Sequence, residues 1–114
     1  MSKREELNIQ FYRKDVQGNS VSIFDTTNAI PINQRLSFFN SLQSSDIDDL
    51  IMVITQIQRG EFYDPDFLTW SEIYSVFDLE FVNPDFSIMG MVTIHMDDLK
   101  LLLEEWRQFR NYNL

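Results

Sequence analysis

The sequence predicts an α+β fold: an antiparallel sheet of four to five strands with two helices packed against it, in a single domain spanning residues 1–114. Three observations carry this expectation. Two segments repeat apolar residues at helical spacing, and others alternate apolar with polar residues between turn formers. Their order along the chain is two strands, an ambiguous stretch, a helix, two strands and a helix, the arrangement of helices set against an antiparallel sheet.

Leu7, Ile9 and Phe11 alternate with Asn8, Gln10 and Tyr12, the period of a half-buried strand. Gly18 and Asn19 supply a turn before Val21-Ser22-Ile23-Phe24, so an opening hairpin is expected. In NAIPINQRLSFFNSLQ, Pro31 restricts Ile30 to extended geometry, while Leu36, Phe38 and Phe39 fit a strand or a short helical turn. Residues 30–44 are therefore read as strand or loop.

From Asp46 the pattern becomes Ile47, Leu50, Ile51, Val53, Ile54 and Ile57, which lines one face of an α-helix. Ser45 or Asp46 can cap the first amides, and Asp48 and Asp49 sit at the positive end of the helix dipole. Arg59 followed by Gly60 makes a cationic end and a C′ glycine, so the helix is expected from about Asp46 to Arg59. Next, Ile73, Ser75, Phe77, Leu79 and Phe81 alternate with Tyr74, Val76, Asp78, Glu80 and Val82, which reads as a strand closed by the turn Asn83-Pro84-Asp85. Phe86 to Ile94 is its antiparallel partner, with Gly90 marking either a bulge or a break into two short strands. The last element, MDDLKLLLEEWRQFRNY, places Leu99, Leu102, Leu103, Trp106 and Phe109 or Arg110 on one helical face. Asp97 and Asp98 begin it and Arg107 and Arg110 end it, matching the dipole at both ends.

Ten Phe, four Tyr and two Trp in 114 residues exclude a mainly disordered chain and leave ample material for one core. The absence of cysteine removes disulfides, thiolate metal sites and Cys nucleophiles, and a cytoplasmic location is expected. No apolar run approaches the ~18 residues that span a bilayer, and MSKREELNIQ lacks the apolar core of a secretory signal. A net charge of −9 disfavours nucleic acid and anionic membrane surfaces and favours encounter with basic proteins.

No motif for catalysis stands out, so no enzyme activity is expected. The only histidine, His95, precedes the last helix and reads as a helix-start residue, because a three-ligand zinc site needs more His or Cys than the chain holds. There is no G-x-S-x-G elbow and no Gly-rich phosphate loop. Asp64 and Asp66 form a D-x-D pair, but a calcium loop needs further carboxylates and a central Gly at fixed spacing, and Pro65 and Phe67 occupy the intervening places, so no metal or cofactor is expected.

Charge clustering is more specific than any of these. From Glu61 to Leu99 the chain holds nine Asp and Glu and no Lys or Arg. Within it, Tyr63, Phe67, Trp70 and Tyr74 interleave with Glu61, Asp64, Asp66 and Glu72, and aromatic anchors ringed by carboxylates suit a cationic protein surface. The competing reading makes Phe62, Phe67 and Trp70 core residues and the acids a solvated rim. Strand alternation would direct Asp78 and Glu80 outward, extending the candidate surface to Glu61, Asp64, Asp66, Trp70, Glu72, Asp78 and Glu80.

The helix SDIDDLIMVITQIQRGE, the acidic aromatic loop ending in Trp70, the two strands and the closing MDDLKLLLEEWRQF resemble the small acidic immunity proteins of bacterial polymorphic-toxin and contact-dependent inhibition systems, over roughly residues 46 to 110. The resemblance implies a protein without catalytic activity that binds one cognate toxin, often a basic nuclease, and blocks its active site or substrate groove. Two other classes stand beside it: a structural or assembly subunit that forms a homo-oligomer through its aromatics, and an enzyme or small-molecule binder centred on His95.

Overall fold

The computed structural model describes residues 2–69 and 71–111. A capped turn opens the chain: Ser2 Oγ accepts from the Glu5 amide at 3.3 Å and the Glu5 carboxylate accepts from the Ser2 amide at 3.4 Å, starting α1 (Lys3–Glu6). The free amides of Lys3 and Arg4 donate to the Glu105 carboxylate at 2.9 and 3.0 Å, which fastens this turn to the far end of the chain. The hairpin then forms as its alternation predicts, although it starts later. Leu7 belongs to the end of α1, and β1 (Gln10–Val16) pairs with β2 (Asn19–Asp25) in the register Phe11↔Phe24 and Val16↔Asn19. Gln17 and Gly18 adopt φ of 53° and 84°, the left-handed pair that a two-residue hairpin turn requires.

Residues Pro31–Ser41 form a 3₁₀ helix, which corrects the strand-or-loop reading of this stretch. Ile30 is extended, with φ −57° and ψ 148°, as its place before proline dictates, and Pro31 supplies the first helical position. Leu36, Phe39 and Leu42 are buried at a spacing of three, the repeat of a 3₁₀ helix, and Phe38 fills the adjacent position. Asn40 extends from this segment to β2, where Oδ1 accepts from the Phe24 amide at 2.8 Å and Nδ2 donates to the Phe24 carbonyl at 2.9 Å. A side-chain amide thus stands where another strand would pair, and the hairpin ends as a sheet of two strands.

The helix α2 (Ser44–Gln58) starts two residues before the expected point, and Asp46 reaches back to accept from the Gln43 amide at 2.9 Å. Its apolar stripe is as predicted: Ile47, Leu50, Val53, Ile54 and Ile57 are buried, with Ile51 half-buried. It ends in a Schellman motif, with Glu61 N–H donating to Gln56 C=O at 2.9 Å and Gly60 N–H to Ile57 C=O at 3.1 Å. Gly60 takes φ +69°, a conformation that disfavours any residue with a Cβ.

The strand predicted over Ile73 to Val82 is half helix. Ser71 Oγ accepts from the Ile73 amide at 3.3 Å and caps α3 (Glu72–Val76), with Glu72 in the first turn. Ile73 and Phe77 face inward four residues apart, a spacing common to strand and helix, while Ser75 and Val76 point to solvent. Asp78 reverses the chain at φ 47°, and only then does β3 (Leu79–Val82) begin. It joins β4 (Asp85–Ile88) and β5 (Val92–His95) in an antiparallel sheet of order β3-β4-β5, with Met89, Gly90 and Met91 separating the last two. Of the two readings of Gly90, two short strands is the one observed. The Asn83–Pro84 peptide in the β3–β4 turn is cis.

The helix α4 (Met96–Asn111) holds the molecule together. It touches α1, α2, β2, β4 and β5, while the 3₁₀ segment bridges β2 and β5. Its Met96, Leu99, Leu102, Leu103 and Trp106 are buried, and Trp106 meets the edges of Phe11 and Phe24 at centroid distances of 5.0 and 5.4 Å. Trp106 Nε1–H is buried and finds no acceptor among the described residues. The α+β class therefore holds, but the five strands divide into sheets of two and three, and both sheets meet on α4. Among the described residues no helix is long and apolar enough to cross a membrane.

Candidate functional site

The Schellman end of α2 sets the geometry of the acidic stretch. By turning the chain at Gly60, it lays residues 61–67 back along the helix that precedes them. Asp64 Oδ1 then accepts from the Asp66 amide at 2.8 Å, and the Asp64 and Asp66 carbonyls accept from the amides of Phe67 and Thr69 at 3.1 and 2.9 Å, which winds the 3₁₀ turn Phe67–Thr69. This winding sends neighbouring aromatics in opposite directions. Phe67 is 5% exposed and packs on Tyr74 and Phe81 at 5.6 and 6.3 Å, whereas Phe62 is 87% exposed. Tyr63 is half-buried with its ring edge-on to Phe81 at 6.1 Å, and Tyr74 is buried. The core reading thus holds for Phe67 and fails for Phe62, and of the aromatics expected to serve as anchors Phe67 and Tyr74 are buried and Tyr63 is half-buried. Trp70 lies outside the described residues.

Between α2 and this loop runs a groove of about 280 Å³, lined by Asp49, Met52, Gln56, Phe62, Tyr63 and Asp64 together with the buried Val53 and Phe67. Met52 is 51% exposed, so two large apolar side chains, Met52 and Phe62, meet solvent at the mouth of a site rimmed by two carboxylates. The Tyr74 phenol is pushed far above its ordinary range, first by burial and then by the charges of Asp46 and Asp49 on α2.

The sequence-predicted acids stand on four kinds of local structure. Glu61 is exposed just past the Schellman motif, Asp64 is half-buried in the groove wall, and Asp66 is exposed at the start of the 3₁₀ turn. Glu72 is exposed on the first turn of α3, Asp78 in the turn that follows it, and Glu80 on β3 opposite Ser87. Glu80 points outward as alternation predicts; Asp78 is outward too, but from a turn and not from a strand. Of these residues only Asp64 lines the groove. Asp49, Met52 and Gln56 complete it from α2, outside the acidic stretch that charge clustering picks out. One signal was available: Met52 is a large apolar residue that falls off the helix's apolar stripe.

None of Glu61, Asp64, Asp66, Glu72, Asp78 and Glu80 forms an ion pair among the described residues. The cations that are paired serve other acids: Lys3 meets Glu6 and Asp98 at 2.6 and 3.1 Å, and Arg107 meets Asp48 at 3.0 Å. His95 ends β5, and its Nδ1 accepts from the Asp97 amide at 3.1 Å, which caps the start of α4. The Asp97 carboxylate lies farther off, at 3.6 Å, so the amide contact is the better bond and the ring serves as a helix-start acceptor. Among the described residues no three His, Cys, Asp or Glu side chains are placed to hold a metal ion. No protein-family model, curated protein or solved structure matches this chain.

Proposed function

We propose that this chain is a non-enzymatic protein-binding domain that meets a basic partner through its acidic side. The concrete form of the proposal is a cytoplasmic immunity protein that neutralises a basic toxin such as a nuclease. One observation carries it: unpaired carboxylates and a solvent-exposed phenylalanine coincide in a stretch without a single Lys or Arg. A carboxylate with an internal counter-ion has little charge left for a partner, whereas Glu61, Asp66, Glu72 and Glu80 present theirs to solvent. Such a field speeds encounter with a cationic surface, and an exposed aromatic slows escape from it. A nuclease groove built for phosphate would find in these acids a substitute for its substrate's charge.

A homo-oligomer through the same surface has less support. Phe67 and Tyr74 are committed to the core, and like charges would face each other across a symmetric contact. The test is a search of the neighbouring genes for a toxin with a basic C-terminal domain, followed by association kinetics with that domain, comparing the native chain with the double variant Asp64→Lys and Glu72→Lys. The expected outcome is an association rate lowered at least about tenfold at low salt, with unfolding stability reduced by only about 1 kcal/mol for the lost Asp64 to Asp66 hydrogen bond. Equal rates for both proteins at low salt would remove the acidic side from the mechanism.

A further inference from the structure

We infer that the groove between α2 and residues 61–67 is an anchor site for one aliphatic or aromatic side chain carried on a Lys- or Arg-rich segment of a partner polypeptide. This deepens the acidic-side reading and rests on it. The groove has two properties that select such an occupant together. Its mouth is apolar, formed by Phe62 and Met52, and Met is the side chain that best adapts to a shape it was not built around. Its rim carries Asp49 and Asp64, neither of which forms an ion pair among the described residues.

Size and symmetry narrow the choice. At about 280 Å³ the open groove has room for a single inserted side chain. A second copy of this chain is a poor occupant, because a two-fold contact would set the Asp49 and Asp64 rim of one copy against that of the other, in a protein of net charge −9. A basic segment instead places its cations over the rim while its apolar residue covers Phe62 and Met52, the pattern of a hot spot enclosed by charge.

The methionines make a direct probe. With ¹³C-methyl methionine, Met52 reports on the groove, Met89 and Met91 report on exposed apolar surface at the β4–β5 turn, and Met96 reports on the core. Two synthetic peptides are titrated at low salt, one alternating Lys with Leu and one alternating Lys with Ser. The expected result is a saturable shift of the Met52 methyl with the Lys/Leu peptide, at least about tenfold weaker binding of the Lys/Ser peptide, and loss of that difference in Phe62→Ser. If both peptides bind equally and in a salt-sensitive way, or if Met89 and Met91 shift as much as Met52, the anchor is overturned and the acidic-side reading stands. If neither binds, both fail. A Met52 shift on raising the protein concentration alone would assign the groove to a second copy and overturn the proposal.

Discussion

Phe62 and Phe67 lie five residues apart in one loop, and replacing each with alanine separates core from surface. Phe67 is 5% exposed and packs against Tyr74 at 5.6 Å and Phe81 at 6.3 Å. Removing its ring forfeits the transfer free energy of a buried aromatic and leaves a cavity, a loss of about 3–5 kcal/mol, within which the two ring contacts account for about 0.5–1.5 kcal/mol each. Phe62 is 87% exposed, so Phe62→Ala is expected to stay within about 0.5 kcal/mol of the parent. Urea unfolding followed by far-ultraviolet circular dichroism reads both. With a slope of about 1.5 kcal/mol per molar, Phe67→Ala lowers the midpoint by about 2–3 M while Phe62→Ala leaves it nearly unchanged. A loss above about 2 kcal/mol for Phe62→Ala, or below about 1 kcal/mol for Phe67→Ala, would refute the division of this loop into an inward and an outward aromatic.

Trp106 Nε1–H has no acceptor among the described residues, so Trp106→Phe removes volume but no hydrogen bond and should cost about 1–2 kcal/mol, against about 3–5 kcal/mol for Trp106→Ala; equal losses in calorimetry would show that the indole N–H contributes. Gly60→Ala meets no steric obstacle but forces a Cβ into φ +69°, an expected cost of about 1–2 kcal/mol that a denaturant midpoint measures. The buried Tyr74 phenol titrates above its unfolded value of about 10, so above that pH the unfolded chain holds fewer protons and stability falls as pH rises. Melting temperatures between about pH 8 and 11 should therefore decline less steeply in Tyr74→Phe than in the parent, and parallel declines would count against this role for Tyr74.

What the sequence makes legible follows from how many periods a segment can satisfy. α2 and α4 repeat their apolar residues over 15 and 16 residues, long enough that only a helix fits. The 3₁₀ segment was open to misreading because Leu36 and Phe38 alternate like a strand; its signature, Leu36-Phe39-Leu42 at spacing three, emerges only when Leu42 is counted as core. Ile73 and Phe77 fit a strand for a similar reason, and the Ser71 cap followed by Glu72 is the local signal for a helix. The division into two sheets was not legible, since the edge of β2 is met at Phe24 by a side chain, Asn40, from a separate segment, a contact that leaves no periodic signal. At the candidate site the acids were visible as charge, whereas the groove depends on α2 and the loop being folded back to back by the Gly60 turn.

The measurement that tests the central claim most directly is the association rate of this chain with the product of any basic toxin gene found beside its own, taken at low and at moderate salt. The expected result is fast binding that slows steeply with salt and slows again in the Asp64→Lys and Glu72→Lys variant. Binding of that product with a rate indifferent to both salt and charge reversal would contradict it.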